Sequence, residues 1–79
     1  MMEHDYIIRT KIADILVECR NEKGLTQAEL ANELGISPTT LATWEQAKSM
    51  PSVDTLWRLA IYYNKTIGYM YGEEKKNDD

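Results

Sequence analysis

Residues 26 to 51, Thr26-Gln-Ala-Glu-Leu-Ala-Asn-Glu-Leu-Gly-Ile-Ser-Pro-Thr-Thr-Leu-Ala-Thr-Trp-Glu-Gln-Ala-Lys-Ser-Met-Pro51, decide the fold. Thr26 stands three residues before Glu29. This is the spacing of a capping box, in which the hydroxyl accepts from the Glu29 amide and the carboxylate reaches back to the Thr26 amide. A helix therefore starts at Thr26. Leu30, Ala31 and Leu34 recur at helical spacing, and Gly35 stands where a left-handed residue ends a helix without steric cost. Ser37 then offers an N-cap oxygen, and Pro38 fits the first helical position, where no amide hydrogen is required. The segment reads as two short helices joined by a tight turn at Gly35-Ile36-Ser37.

Rotating the second of these helices by about 100° per residue places Thr39, Ala42, Thr43 and Gln46 on one outward arc. Leu41, Trp44 and Glu45 fall on the other side. A carboxylate on the inward face is strongly destabilising without a partner, so the chain must bring a cation to Glu45, and Arg20 near the end of the preceding helix is the candidate. Two helices across a tight turn, with small polar side chains on the outer face of the second, form a helix-turn-helix. That face fits against base edges in the major groove of DNA.

The flanking segments complete an all-helical reading. Ile8, Ile12, Ile15, Leu16 and Cys19 recur at intervals of three and four residues, so Tyr6 to about Glu22 forms one amphipathic helix with Arg9, Lys11, Asp14 and Glu18 outside. Lys23-Gly24 ends it. Ser52, with Asp54 in the favourable first turn, opens a fourth helix whose buried stripe is Val53, Leu56, Leu59, Ala60 and Tyr63. Asn64 has the character of a C-cap that tolerates positive φ, and Thr66 caps a fifth short helix from Ile67 to Tyr71 before Gly72. The expected organisation is a flexible N-terminus over 1–5, a single helix-turn-helix domain over 6–72 and a disordered acidic tail over 73–79.

With 79 residues there is room for one small core, which excludes multi-domain enzymes. Neither a membrane span nor a basic, apolar leader is visible, and the expected location is cytoplasmic. The lone Cys19 lies in an apolar stripe and reads as a small buried hydrophobe; the lone His4 reads as a solvated residue. No constellation of residues carries catalytic, metal or cofactor chemistry, so the expectation is a non-enzyme with none of these. The net charge of −4 is unusual for a nucleic-acid binder. The segment 73–79 holds four of the 13 acids and two of the nine bases, which leaves nine and seven, a net of −2. Affinity for DNA then depends on a few well-placed phosphate contacts rather than on total charge.

Taken together, Gly24-Leu-Thr-Gln-Ala-Glu-Leu-Ala31, Leu34-Gly-Ile-Ser37, Leu41 with Trp44-Glu45, Lys48, Pro51, Thr55-Leu56, Leu59-Ala60 and the closing Ile67 to Gly72 segment give a chain that resembles the Cro and lambda-repressor-like helix-turn-helix family over roughly residues 8 to 72. The resemblance implies a compact five-helix bundle in which helices two and three form the motif and helix three enters the major groove. It makes Gln27 a phosphate-binding residue at the start of helix two, Thr39 and Thr43 base-reading residues, and Arg20 and Glu45 the interior ion pair. Three positions depart from the family pattern. Pro38 replaces a residue able to donate to a base, Thr43 stands where Lys or Arg often precedes the aromatic residue, and Ala47 replaces the usual Gly after helix three. At Ala47 the chain must either accept a left-handed residue, at a cost on the order of 1 kcal/mol, or let the helix run on.

The expected function is a sequence-specific regulator of transcription that binds double-stranded DNA as a homodimer and represses by occlusion. Thr39, Ala42, Thr43 and Gln46 would contact bases. Gln27, Ser37, Thr40 and Lys48 would contact phosphates. With no arginine in helix three, readout leans on methyl contacts with thymine, on the Gln46 amide and on DNA shape. The aromatic group of Trp57, Tyr62, Tyr69, Met70 and Tyr71 exceeds what so small a core encloses and is the expected dimerisation surface; Trp44, like Trp57, belongs to the core or its margin. The alternative on the same fold is a protein-interaction module, an antitoxin or antirepressor with a protein partner. A positive rim formed by Lys48, Lys23 and the helix amino ends would favour DNA.

Overall fold

The computed structural model describes residues 2–73, with side chains from Tyr6 onward. The tail expected to be disordered lies outside the described residues except for Glu73, as does the side chain of His4. Five helices follow in order: α1 Met2–Glu22, α2 Gln27–Leu34, α3 Pro38–Glu45, α4 Val53–Tyr63 and α5 Ile67–Met70. Helix α1 thus begins four residues earlier than its apolar periodicity predicts. Residues 2–5 contain no glycine or proline to interrupt the hydrogen-bond ladder, so propensity extends the helix past its amphipathic part.

Local chemistry sets each boundary. At α2, Thr26 Oγ1 accepts from the Glu29 amide at 3.0 Å and Glu29 Oε1 accepts from the Thr26 amide at 2.9 Å, the reciprocal pair expected from the spacing. Gly35 ends the helix at φ 72°, a conformation with little cost only for a residue lacking Cβ. Ser37 caps α3, with Pro38 in the first turn, and Ser52 caps α4. Asn64 closes α4 at φ 60°. After α3 the chain turns instead of running on: Ala47 is left-handed, at φ 63°, although it is not glycine. Such a residue is strained by roughly 1–2 kcal/mol, so the surrounding structure must hold it there.

The core is one cluster built from every helix: Ile12, Leu16 and Cys19 of α1, Leu30, Ala31 and Leu34 of α2, Leu41 and Trp44 of α3, Leu56, Leu59, Ala60 and Tyr63 of α4, and Met70 of α5. Helix α1 packs against α3 and α5, while α2 lies against α3 and α4 against α5. Burying an aliphatic side chain of this size contributes about 1.5–3 kcal/mol, so this cluster fixes the angle at which α3 is presented.

Three expectations about the core need correction. Val53, placed in the buried stripe of α4, is 57% exposed, because it occupies the first position of that helix and nothing packs over it. Arg9, placed outside, is half-buried and donates from Nε to the Ala47 carbonyl at 2.9 Å. Met70, assigned to a dimer surface, is completely enclosed in the core and is out of reach of a partner. Helix α5 turns this flexible thioether into the core, so one member of the group expected at the surface is spent inside.

Candidate nucleic-acid interface

Helix α3 turns one side inward and leaves the other uncovered. Leu41 and Trp44 are buried, and only 4% of the Glu45 side chain is exposed. On the outer arc Thr39 and Gln46 are exposed, while Ala42 and Thr43 are half-buried. The four residues expected to contact bases are thus brought together on one surface that carries no charged side chain.

The hydroxyls of this surface are already partly committed. Thr43 Oγ1 donates to the Thr40 carbonyl at 2.8 Å and lies 3.0 Å from Ser49 Oγ. A hydroxyl has one hydrogen, so in that second contact Ser49 is the donor. Thr43 therefore has no hydrogen left for a base and offers its methyl group. Ser37 Oγ accepts from the Thr40 amide at 3.1 Å and pairs with Thr40 Oγ1 at 2.9 Å, so these two hydroxyls order the amino end of α3.

Behind α3 lies the ion pair expected from helix rotation. Arg20 Nε donates to Glu45 Oε2 at 2.7 Å and Nη2 donates to Oε1 at 3.0 Å, a two-pronged contact that also fixes the orientation of both side chains. The third prong, Nη1, donates to the Leu25 carbonyl at 2.8 Å and so ties down the α1–α2 turn. The hydrogen bond to Glu45 holds the Arg20 guanidinium above its usual range, ahead of the opposing effect of burial. Gln27 Nε2 donates to Glu45 Oε1 at 2.8 Å. This clamps Gln27 at the amino end of α2 with one Nε2 hydrogen and the amide oxygen unused, and the first amides of that helix lack intrahelical partners.

The other cations are mostly engaged within the fold. Arg9 holds the Ala47 carbonyl, and Arg58 Nη2 donates to the Leu34 carbonyl at 2.9 Å, a contact on the last turn of α2 that no sequence signal announces. Lys23 Nζ sits 4.9 Å above the ring of Tyr62, and Lys65 Nζ 4.6 Å above that of Tyr69 and 4.0 Å from Glu22. Among the described residues Lys48 and Lys11 have no such partner, and Lys48 is exposed in the turn directly after α3. Lys23 is thus drawn onto Tyr62, and Lys48 is left as the exposed cation next to α3 among the described residues.

The aromatic group divides. Tyr62 is half-buried, edge-on to Tyr63 at 5.1 Å and under Lys23. Tyr69 is half-buried under Lys65. Trp57 and Tyr71 are 54% and 41% exposed. Sequence reasoning missed the pattern that Trp57 belongs to: Val53, Trp57 and Ile61 stand at four-residue spacing on α4 and are all exposed, Ile61 at 72%. No group of three or more possible metal ligands occurs among the described residues. No helix among them is long and apolar enough to cross a membrane.

Two capped helices across a left-handed Gly35 turn, braced by an interior ion pair and presenting one uncovered polar face, define a helix-turn-helix domain of the Cro and lambda-repressor type. The chain belongs to the Helix-turn-helix family HTH_3, whose model matches residues 16–70. It is 36% identical over 66 residues to the HTH-type transcriptional regulator ImmR of Bacillus subtilis, a match covering 80% of this chain and 52% of ImmR. It is 41% identical over 60 residues to the ImmF control region 10 kDa protein of Bacillus phage phi105, covering 76% and 67% of the two chains. Among solved structures, the SOS-response transcriptional repressor LexA from Eubacterium rectale superposes with a TM-score of 0.81 at 26% identity, covering 91% of this chain and 77% of that one. The chain spans about half the length of ImmR.

Proposed function

We propose that the protein is a sequence-specific regulator of transcription that binds double-stranded DNA with α3 in the major groove, and that it represses by occluding its site. The observation that carries this reading is the outer face of α3: Thr39 and Gln46 are exposed, Ala42 and Thr43 half-buried and none of the four charged, while the acidic group of the same helix, Glu45, is neutralised inside by Arg20. A carboxylate left facing outward there would repel the phosphates that flank the groove. Thr39, Ala42, Thr43 and Gln46 contact base edges; Gln27, Ser37, Thr40 and Lys48 contact phosphates. These phosphate contacts set register, and the base contacts set sequence.

The protein acts as a homodimer in the cytoplasm. Its contact surface is the exposed stripe of α4, Val53, Trp57 and Ile61, in place of the enclosed Met70. The stripe recurs at four-residue spacing along one face of α4, the kind of self-matching apolar surface that two copies bury about a two-fold axis. A two-fold dimer also suits a palindromic operator with half-sites about 34 Å apart.

Selection of duplexes from a random pool at low and moderate salt tests the function. Enrichment of one motif that survives moderate salt supports it. Enrichment of no motif, or binding that disappears uniformly with salt, overturns it and leaves the protein-interaction reading.

A further inference from the structure

The turn after α3 is strained, yet it sits beside the recognition face, and it is held from a distant element. Ala47 takes the left-handed conformation at φ 63°. Its amide donates to the Trp44 carbonyl at 3.1 Å and the next amide, Lys48, to the Thr43 carbonyl at 3.0 Å, so the turn folds back on the last turn of α3. The Ala47 carbonyl is taken by Arg9 Nε at 2.9 Å, from a residue 38 positions earlier in the chain. Two residues after Ala47, Ser49 Oγ meets Thr43 Oγ1 at 3.0 Å, and Thr43 passes its hydrogen to the Thr40 carbonyl at 2.8 Å. A continuous path of hydrogen bonds and backbone therefore runs from α1 through a strained turn to the side chain at the centre of the outer arc.

We propose that Arg9 is a positioning residue for DNA reading: by holding the Ala47 carbonyl it fixes the Lys48–Ser49 segment, and through Ser49 it keeps the Thr43 hydroxyl turned onto its own helix, so that Thr43 selects thymine through its methyl group. The inference rests on the DNA-binding reading and adds how specificity is set within it. Glycine at position 47 would hold the left-handed turn unaided. With alanine the turn depends on an outside anchor, and Arg9 supplies it. The role assigned to Arg9 is this Nε contact to the half-buried Ala47 carbonyl, an effect of geometry that an unchanged salt slope distinguishes from a phosphate contact. The methyl assignment follows from hydrogen counting, since a hydroxyl that has already donated to Thr40 offers a base no hydrogen, and the thymine 5-methyl group is the apolar feature of the major groove.

The test uses the full chain and a selected duplex in which single thymines are replaced by deoxyuracil, which removes only the methyl group. Wild-type protein is expected to lose about fourfold in affinity at one thymine per half-site, the effect of one buried methyl-sized group. Arg9→Met should weaken the thymine duplex and bring the thymine-to-uracil ratio toward one, with the salt slope unchanged. Adding Ala47→Gly to Arg9→Met should restore both affinity and ratio. Ser49→Ala, which leaves the turn itself alone, should lower the ratio as well and provides the same reading should Arg9→Met fold poorly. A ratio unaffected by Arg9→Met and Ser49→Ala, or a loss that Ala47→Gly does not rescue, overturns the proposal while leaving DNA binding intact. A wild-type protein that binds no duplex overturns the DNA reading and this inference together.

Discussion

Replacing Glu45 with alanine isolates the interior on which the recognition helix rests. Two of the three hydrogen bonds of the Arg20 guanidinium end on Glu45, as does the amide of Gln27, and the two charged side chains are only 15% and 4% exposed. Glu45→Ala leaves a buried cation with one carbonyl partner, the Leu25 oxygen. Removing one member of a buried pair costs about 3–5 kcal/mol. A chain of this length has only about 4–12 kcal/mol in total, from roughly 0.05–0.15 kcal/mol per residue. The midpoint of thermal unfolding should therefore fall by about 12–24 °C for a loss of 3 kcal/mol, at roughly 4–8 °C per kcal/mol for a domain of this size. Urea denaturation read by circular dichroism measures the loss directly. The companion variant, Arg20→Met with Glu45→Leu, removes both charges together and should lie within about 2 kcal/mol of wild type, because no unpaired charge remains. A Glu45→Ala cost below about 1 kcal/mol, or a double variant as unstable as the sum of the singles, would refute the reasoning from buried charge.

Four further outcomes are expected. Thr43→Ala should relax base preference with little change in salt dependence, whereas Lys48→Ala should weaken all duplexes alike and flatten the salt slope by about one, both read by fluorescence anisotropy across salt concentrations. Trp57→Glu should shift the protein to monomer in sedimentation equilibrium without lowering its helix content; a dimer that persists would remove α4 from the interface. Burial raises the Cys19 thiol above its ordinary 9.0, and nearby Glu22 and Glu18 add to this against Lys65. Since the folded state holds its proton longer, the stabilisation is complete below about pH 9 and declines as pH rises past the unfolded thiol's pKa. Urea titrations between pH 7 and 10.5 should show that decline, and Cys19→Ala should lessen it. Tyr63→Phe removes a hydroxyl that is buried without a hydrogen-bond partner and should leave stability unchanged or raise it by about 1 kcal/mol, whereas a loss beyond that would reveal a hidden partner.

The helix boundaries were legible because they depend on neighbours in sequence. The Thr26–Glu29 box, the Gly35 turn, the Ser37–Pro38 start and the Asn64 stop are contacts within a few residues, and each stands where the spacing puts it. The Arg20–Glu45 pair was legible for another reason: a carboxylate on an inward arc demands a cation, and few were in reach. What escaped was long-range and directional. Nothing in the sequence indicates that Arg9 would reach the Ala47 carbonyl or Arg58 that of Leu34, because backbone acceptors carry no residue-type signal. Ala47 itself was legible only as a choice between two conformations, and the anchor that decides between them lies on another helix. Composition also hid where the apolar surplus goes: it counts Met70 with the surface rings although Met70 is enclosed, and it passes over the four-residue spacing that leaves Val53, Trp57 and Ile61 exposed together on α4.

The most direct test of α3 as the reading surface is an amide chemical-shift titration of the labelled protein with a selected duplex. Shifts concentrated at Gln27, Ala28 and residues 37–49, with the α4 stripe unmoved, are the predicted result. Shifts confined to α4 and α5, with residues 38–46 unchanged at saturation, would contradict it.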